Sequence, residues 1–229
     1  MIADNLHKVR ERIAEVCAKN GRNPNEVTLI AVSKNFGIEE IEEAKNTGQI
    51  VFGENRAQEL TQKYEVIGNN VVWHFIGSLQ RNKVRFAVNA AEYIHSVDSF
   101  LLASEINKYA AKQNKIQKIL LQFKTTNEDS KQGITSESEL RDLALYCKEF
   151  KNIQLVGLMT IGPLTEDKDE IKKSFRYLSE MKLMINNEGL DLKELSMGMT
   201  NDYDIAIEEG ATMVRIGSAI FGYRDYSKQ

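Results

Sequence analysis

The chain has 229 residues, of which 42% are hydrophobic, and a formal net charge of −3 at pH 7. This charge argues against a nucleic-acid partner, and no apolar run approaches the roughly 18 residues that a membrane helix needs. Cys17 and Cys147 give neither a metal-ligand spacing nor a disulfide framework, and the N-terminus lacks an apolar signal segment. We therefore expect a soluble cytoplasmic protein.

An amphipathic helix opens the chain, because apolar residues recur at helical spacing from Leu6 to Cys17 and Gly21 can end it. Short apolar runs then alternate with amphipathic stretches. The runs predict strands at Val27–Ser33, Ile50–Gly53, Val71–Ile76, Tyr93–Val97, Ile119–Phe123, Leu155–Met159, Glu194–Met197 and Met213–Ile216. The stretches predict helices that include Ile38–Ala44, Ala57–Tyr64, Leu101–Ala111, Leu140–Phe150 and Ile171–Ile185.

About eight strands, each followed by a helix, favour an α/β fold with a parallel sheet, and the length suits a (β/α)8 TIM barrel. A doubly wound open sheet is the alternative, although it more often has five or six strands. No linker or shift in composition divides the chain, so we expect one domain over residues 1–229. Only about a dozen residues follow Ile216, and we expect the extra N-terminal helix to help cover the last strand.

Lys34 ends the first predicted strand, which is otherwise apolar and β-branched. Two interpretations stay open for this lysine. A partly buried amine is a nucleophile of the kind that Schiff-base chemistry needs. Alternatively, the side chain extends from the strand end into water, as lysine commonly does.

The loops after the last two predicted strands point to an anion. In TIM barrels, phosphate groups often bind between the loops after strands seven and eight. The first loop offers Ser196, Gly198 and Thr200, and Asn201 or Thr200 can cap the helix that follows. The second loop offers Gly217 and Ser218. A small-residue turn that only starts a helix is the alternative.

Arg215 interrupts an apolar strand, so it can face a ligand in the barrel mouth or form a salt bridge to a residue such as Glu54. Asn55 can bind a ligand hydroxyl or cap the next helix. His74 can act as an acid–base group and Met159 can line a ring face, but packing is the more common role of each. The segment 58–64 is interpreted as a solvated helix face.

A lysine amine, a phosphate-binding pair of loops and an arginine together indicate a pyridoxal 5′-phosphate (PLP) site. Its aldehyde would condense with Lys34, and its phosphate would rest on the loops Ser196–Thr200 and Gly217–Ser218. Arg215 would face the pyridine nitrogen.

Several long motifs now make the chain resemble the pyridoxal phosphate homeostasis protein family, a relative of the alanine racemase barrel, over nearly its whole length. These motifs are Ala31–Lys34, Phe52–Asn55 with Gln58–Glu59, His74–Lys83, His95–Ser99, Gly157–Met159, Leu195–Thr200 and Val214–Gly217. The resemblance implies a Schiff base on Lys34, phosphate contacts from Ser196, Thr200 and Gly217, and Arg215 at the pyridine nitrogen. It also places Asn55 and Met159 beside the cofactor.

The sequence departs from the family pattern at three places. Thr200 replaces a common serine but keeps the hydroxyl. Arg56 stands where tyrosine is frequent. Residues Gln122, Phe123 and Lys124 stand where a valine–asparagine pair is usual, which puts the fifth strand's contribution to the site in doubt.

The resemblance implies a protein that holds and hands on PLP in vitamin B6 homeostasis, without an established reaction. An arginine at the pyridine nitrogen keeps that nitrogen unprotonated and weakens the ring as an electron sink. Racemases with this arrangement add a tyrosine base from a separate β-domain, for which this sequence has no segment. We therefore expect a PLP carrier more than an enzyme, acting as a monomer with transient contact to PLP-dependent apoenzymes. A fold-type III enzyme with racemase-like or lyase-like activity is the alternative, and a lysine-dependent aldolase is the third hypothesis.

Overall fold

A computed structural model describes residues 1–126, 128 and 131–222 of the chain. Its eight strands are β1 (Thr28–Val32), β2 (Val51–Glu54), β3 (Val72–Phe75), β4 (Tyr93–Val97), β5 (Gln117–Gln122), β6 (Ile153–Met159), β7 (Glu194–Ser196) and β8 (Met213–Ile216). Within the described residues the α-helices are α1 (Ile2–Lys19), α2 (Ile38–Asn46), α3 (Ala57–Ile67), α4 (Val84–Ala90), α5 (Phe100–Lys112), α6 (Glu137–Cys147), α7 (Lys168–Asn187), α8 (Tyr203–Glu208) and α9 (Ser218–Phe221).

The strands form one closed parallel barrel in chain order, which confirms the predicted (β/α)8 TIM barrel. Closure is made by β8 against β1, with Ile216 opposite Ala31. Since all strands run the same way, their carboxyl ends meet at one rim, where barrel active sites lie. The fold therefore brings Lys34, at the end of the first strand, beside the loop that follows the last strand.

The predicted strand positions are correct to within one or two residues, and the helix bounds differ most at α6. Helix α6 begins at Glu137, three residues before the prediction, because the Ser136 hydroxyl caps it by accepting the Glu139 backbone N–H at 3.2 Å. The spacing of apolar residues cannot predict this first turn, because the turn is polar.

Helix α1 packs against α2, α8 and α9, as expected for a helix that covers the last strand. Its buried face consists of Ile2, Leu6, Val9, Ile13, Val16 and Cys17. Polar contacts fix the ends of this packing: the Asn5 amide donates to the carbonyl of Ile220 at 2.9 Å, and the Arg12 guanidinium contacts Asp204 at 2.6 Å. Helix α1 therefore lies beside α8 and α9, the helices that precede and follow β8.

No helix in the described ranges has both the length and the apolar character to cross a membrane. Cys17 and Cys147 are free and buried, in α1 and α6 respectively.

Candidate functional site

The rim of the barrel closes between the loops that follow β1 and β8. A Cβ atom built on Gly217 would lie 3.3 Å from the carbonyl oxygen of Val32, so a larger residue here would press the two backbones slightly apart. Phe36, after β1, stacks on Phe221 of α9 with 5.0 Å between ring centroids. These contacts hold the loop of Lys34 against the loop of Gly217 and Ser218.

Lys34 lies in a tight turn just beyond β1, and its side chain is exposed. The partial burial that one interpretation required is not found in this structure, because Lys34 lies in the turn that follows the buried Ser33. Asn35 follows with a positive φ of 66°, and the Phe36 N–H closes the turn by donating to the Ser33 carbonyl at 3.1 Å. The residues on both sides of Lys34 are therefore held, while its own side chain reaches solvent.

A buried ionic cluster lies behind this turn and consists of Lys63, Glu54 and Glu59. The Lys63 ammonium donates to Glu54 Oε1 at 2.6 Å, to Glu59 Oε1 at 2.7 Å and to the Ser33 carbonyl at 2.8 Å. Burial raises the pKa of the Glu54 carboxyl, and the nearby Lys63 ammonium acts in the opposite direction. The cluster joins helix α3 and strand β2 to the residue that precedes Lys34.

This cluster corrects one prediction and rules out one alternative. Residues 58–64 are not a solvated helix face, because Lys63 and Leu60 are buried and point to the barrel. A salt bridge between Glu54 and Arg215 does not form either, because Glu54 pairs with Lys63 from the neighbouring helix. Helix periodicity placed Lys63 on a polar face, but a buried carboxylate at a strand end attracts a lysine of the adjoining helix.

Arg215 is buried on β8 and contacts only neutral oxygens among the described residues. Its guanidinium donates to Ser196 Oγ at 2.7 Å and to the Thr160 carbonyl at 2.9 Å. Burial lowers its pKa to about 10, while Asp202 acts in the opposite direction. An arginine carries five N–H donors, so this buried cation keeps donors for a further acceptor.

Two histidines extend the contacts of Arg215 across the barrel interior. The ring of His95 contacts Ser196 Oγ through Nδ1 and His74 through Nε2, both at 2.8 Å. Burial lowers the pKa of His74 to about 3, with a smaller effect from Lys118, and burial also lowers the pKa of His95. Both rings are thus neutral near pH 7. They connect Ser196 to His74 by hydrogen bonds and add no charge to the barrel interior.

The two predicted phosphate loops meet in space. The Ser218 hydroxyl, at the start of α9, lies 3.2 Å from the Thr200 hydroxyl in the loop after β7. Gly198 has a φ of 92°, and a Cβ there would lie 2.5 Å from Ala206 Cβ, so this loop requires glycine. The hydroxyls of Thr200 and Ser218 therefore face one another across the gap between the loops.

The predicted helix cap in this region is wrong. Helix α8 begins at Tyr203 with Asp202 as its N-cap residue, because a turn over residues 200–202 delays the helix beyond Thr200 and Asn201. The Asp202 carboxylate accepts the Met199 N–H at 2.6 Å rather than a helix N–H. This leaves the Thr200 hydroxyl free of a capping role.

The remaining predicted site residues lie at other strand ends. Asn55 follows β2; it does not cap α3, whose N-cap residue is Arg56, and its buried Oδ1 atom has no hydrogen-bond partner among the described residues. Met159 is the last residue of β6, is buried, and pairs with Ser196 of β7. The hydroxyl of Ser196 itself is buried beneath the rim and is engaged by Arg215 and His95.

Two of the residues at which the fifth strand departs from the family pattern, Gln122 and Phe123, are buried. Gln122 is buried and donates to the Gln132 carbonyl at 2.8 Å, so its side chain holds the loop that follows β5. Phe123 is buried and packs edge-on against Tyr177 of α7, with ring centroids 5.5 Å apart. The exposed Arg56 side chain lies at the start of α3.

Three residues of this arrangement received no role from the sequence: Lys63, His95 and Thr160. Strand alternation places His95 on the same face as Tyr93 within an apolar run, which was a usable signal for a polar group inside the barrel. Thr160 acts through its backbone carbonyl, for which side-chain patterns carry no signal.

Comparisons with known proteins identify the family of this chain. The sequence profile of the family described as "Alanine racemase, N-terminal domain" matches residues 4–225. A pyridoxal phosphate homeostasis protein of Aquifex aeolicus is 42% identical over 225 residues, covering 97% of this chain and 98% of its own length.

Solved structures match over the same span. PipY of Synechococcus elongatus with PLP bound has a TM-score of 0.84 and 34% identity, covering 97% of this chain and 100% of that chain. An alanine racemase of Clostridium difficile, at 14% identity and a TM-score of 0.75, covers 96% of this chain and 57% of that chain and shares the fold. The chain therefore belongs to the alanine racemase N-terminal domain family, among the pyridoxal phosphate homeostasis proteins.

Proposed function

We propose that this protein binds PLP reversibly, holds it through a Schiff base on Lys34 and serves intracellular vitamin B6 homeostasis. The observation that carries the proposal is Arg215, a buried cation that contacts only neutral oxygens in the described chain. Burying a charge without an opposite charge is costly, so a site that does so normally serves a ligand. Relatives named pyridoxal phosphate homeostasis proteins, and the structure of PipY with PLP bound, support the same proposal.

The described residues fit the chemical groups of PLP. Lys34 supplies an exposed amine at the rim, and Thr200, Gly217 and Ser218 supply small or hydroxyl-bearing positions for a phosphate. Gly198 allows the approach of that loop, and Ser196 orients Arg215. The unpartnered Oδ1 atom of Asn55 offers an acceptor, and Met159 an apolar contact.

The bond to Lys34 would form by attack of the amine nitrogen on the aldehyde carbon. A carbon–nitrogen double bond forms and the aldehyde oxygen leaves as water, so the step reverses when water or another amine returns. Because Arg215 would keep the pyridine nitrogen unprotonated, the protein acts as a carrier more than as a catalyst. We further propose that residues 1–229 work as one domain, as a cytoplasmic monomer, with transient contact to PLP-dependent apoenzymes.

The test uses purified protein titrated with PLP. We expect a yellow absorbance band that borohydride abolishes, and a pyridoxyl group located on Lys34 by peptide mass spectrometry. The Lys34→Ala variant loses the adduct. A wild-type protein that stays colourless and carries no adduct would refute the proposal, and adducts formed only with sugar phosphates would favour an aldolase.

A second measurement separates a carrier from a fold-type III enzyme, which the shared alanine racemase barrel keeps as the alternative. The PLP-loaded protein is incubated with L-alanine in deuterated water, and exchange of the Cα proton is followed by NMR. A carrier leaves that proton in place, whereas exchange at enzyme-like rates would show a racemase-like or lyase-like activity.

A further inference from the structure

We propose that Lys63 is a positioning residue for Lys34, because its ammonium holds the turn that carries the reactive amine. This inference rests on the proposed function, since it assigns the residue that prepares Lys34 for the aldehyde. It assigns Lys63 a role through the backbone around Lys34, and it follows from contacts among the described residues.

The first contact fixes the residue before Lys34. Ser33 is buried, and its carbonyl accepts from the Lys63 ammonium at 2.8 Å as well as from the Phe36 N–H at 3.1 Å. Its hydroxyl donates to Glu54 Oε1 at 2.6 Å, the same oxygen that Lys63 contacts. Backbone and side chain of Ser33 are thus both tied to one buried ion pair.

The second contact fixes the residue after Lys34. Asn35 has a positive φ of 66°, a conformation that few residues other than glycine adopt. Its N–H donates to Glu59 Oε1 at 2.7 Å, and Lys63 donates to that same oxygen at 2.7 Å. This left-handed residue is therefore held by a carboxylate that Lys63 keeps in place.

The donor count of Lys63 matches this arrangement. An ammonium has three N–H donors, and Lys63 directs them at Ser33, Glu54 and Glu59, all within 2.8 Å. One buried side chain thus fixes the backbone on both sides of Lys34. A held backbone limits the positions of the amine, so less ordering is needed when the bond to the aldehyde forms.

The first experiment needs no ligand. Amide hydrogen exchange of the free protein is measured at Asn35 by NMR in wild type, Lys63→Met and Lys45→Met. Lys45 is the matched control, because it pairs with Glu42 on helix α2 at 2.7 Å and contacts no residue of the turn. We expect exchange at Asn35 to be about tenfold faster in Lys63→Met and unchanged in Lys45→Met.

The second experiment separates positioning from stability. Lys63→Met leaves Glu54 without its partner, so a double variant, Lys63→Met with Glu54→Gln, removes the unpaired charge and restores much of the stability. We expect this double variant to form the reducible bond to PLP about tenfold more slowly than wild type. A purely structural role predicts that the rate recovers together with the stability.

A further variant keeps the test valid if changes at Lys63 prevent folding. Glu59→Ala leaves the pair of Lys63 and Glu54 intact but removes the acceptor of the Asn35 N–H, so it should also accelerate exchange at Asn35 and slow the reaction of Lys34. Unchanged exchange at Asn35 together with a wild-type reaction rate in these variants would overturn the inference. A wild-type protein that forms no bond to PLP would refute the proposed function instead, and the exchange measurement would still decide whether Lys63 holds the turn.

Discussion

The barrel buries two cations near its rim and surrounds them in opposite ways. Lys63 extends from α3 to the end of β2, where its ammonium contacts two carboxylates and one carbonyl, each within 2.8 Å. On β8, the guanidinium of Arg215 contacts a hydroxyl and a carbonyl, with no carboxylate within ion-pair distance among the described residues.

The difference separates a scaffold from a ligand site. The Lys63 ammonium has all three donors engaged and none left for a ligand, so its role is to hold the neighbouring backbone. A buried cation that retains free donors is destabilising until an acceptor arrives, so it is suited to bind one. The four predictions below test this contrast, from the largest expected effect to the smallest.

Lys63→Met should destabilise the protein by about 3–5 kcal/mol, because it leaves the buried Glu54 without its partner. The free energy of unfolding from urea denaturation measures this loss. If Lys63→Met costs no more than Lys45→Met, which breaks a half-buried pair on α2, the contrast between the two cations fails.

Arg215→Met should leave stability within about 1 kcal/mol of wild type, since it removes a buried charge that the described chain does not neutralise. The Kd for PLP should nevertheless rise by roughly thirtyfold, the value of one charge-assisted hydrogen bond. Urea denaturation measures the stability, and an absorbance titration measures the Kd for PLP. A large loss of stability with unchanged affinity would reverse the roles assigned to Arg215 and Lys63.

His74→Gln should change how stability depends on pH, because burial lowers the pKa of His74 to about 3 in the folded state. Between that value and the unfolded pKa of about 6.5, the unfolded chain binds more protons, so stability falls as pH falls. The slope should differ between wild type and variant by about 1.4 kcal/mol per pH unit in this window. Denaturation at a series of pH values measures it, and equal slopes would mean that His74 is not held neutral beside His95 and Arg215.

Thr200→Val should weaken PLP binding by about fivefold to tenfold, because it keeps the shape of the side chain and removes one hydroxyl. The hydroxyl of Thr200 contacts Ser218 at 3.2 Å, so Ser218→Ala should give an effect of similar size. Titrations with PLP and with pyridoxal, which lacks the phosphate, separate a phosphate contact from a loop contact. An equal loss for both ligands would place the phosphate elsewhere.

Most of the fold could be predicted from the sequence, since buried parallel strands are near-continuous apolar runs and the turns between them are polar. Predicted site residues such as Lys34, Thr200 and Arg215 lie at carboxyl strand ends, and barrel closure brings the loops after β1 and β8 together. Their roles toward PLP remain predictions.

The predictions that failed concerned exposure and pairing. Lys63 is buried rather than part of a solvated helix face, and Asp202 rather than Thr200 or Asn201 is the N-cap of α8, whereas the exposed Lys34 side chain matches one of the two interpretations left open. Each depends on how far a turn extends or how a helix is rotated about its axis, which local patterns specify poorly.

The sequence by itself determined the barrel, the order of its strands and the residues at its rim, because periodicity and strand-end chemistry are local properties. Only the tertiary structure decided which charges meet. The sequence offered Arg215 as a possible partner of Glu54, but in the structure Lys63 of α3 lies against β2, with its ammonium 2.6 Å from the carboxylate. Charge pairing depends on distances between segments that are remote in the chain, and that choice left Arg215 with free donors at the site proposed for PLP.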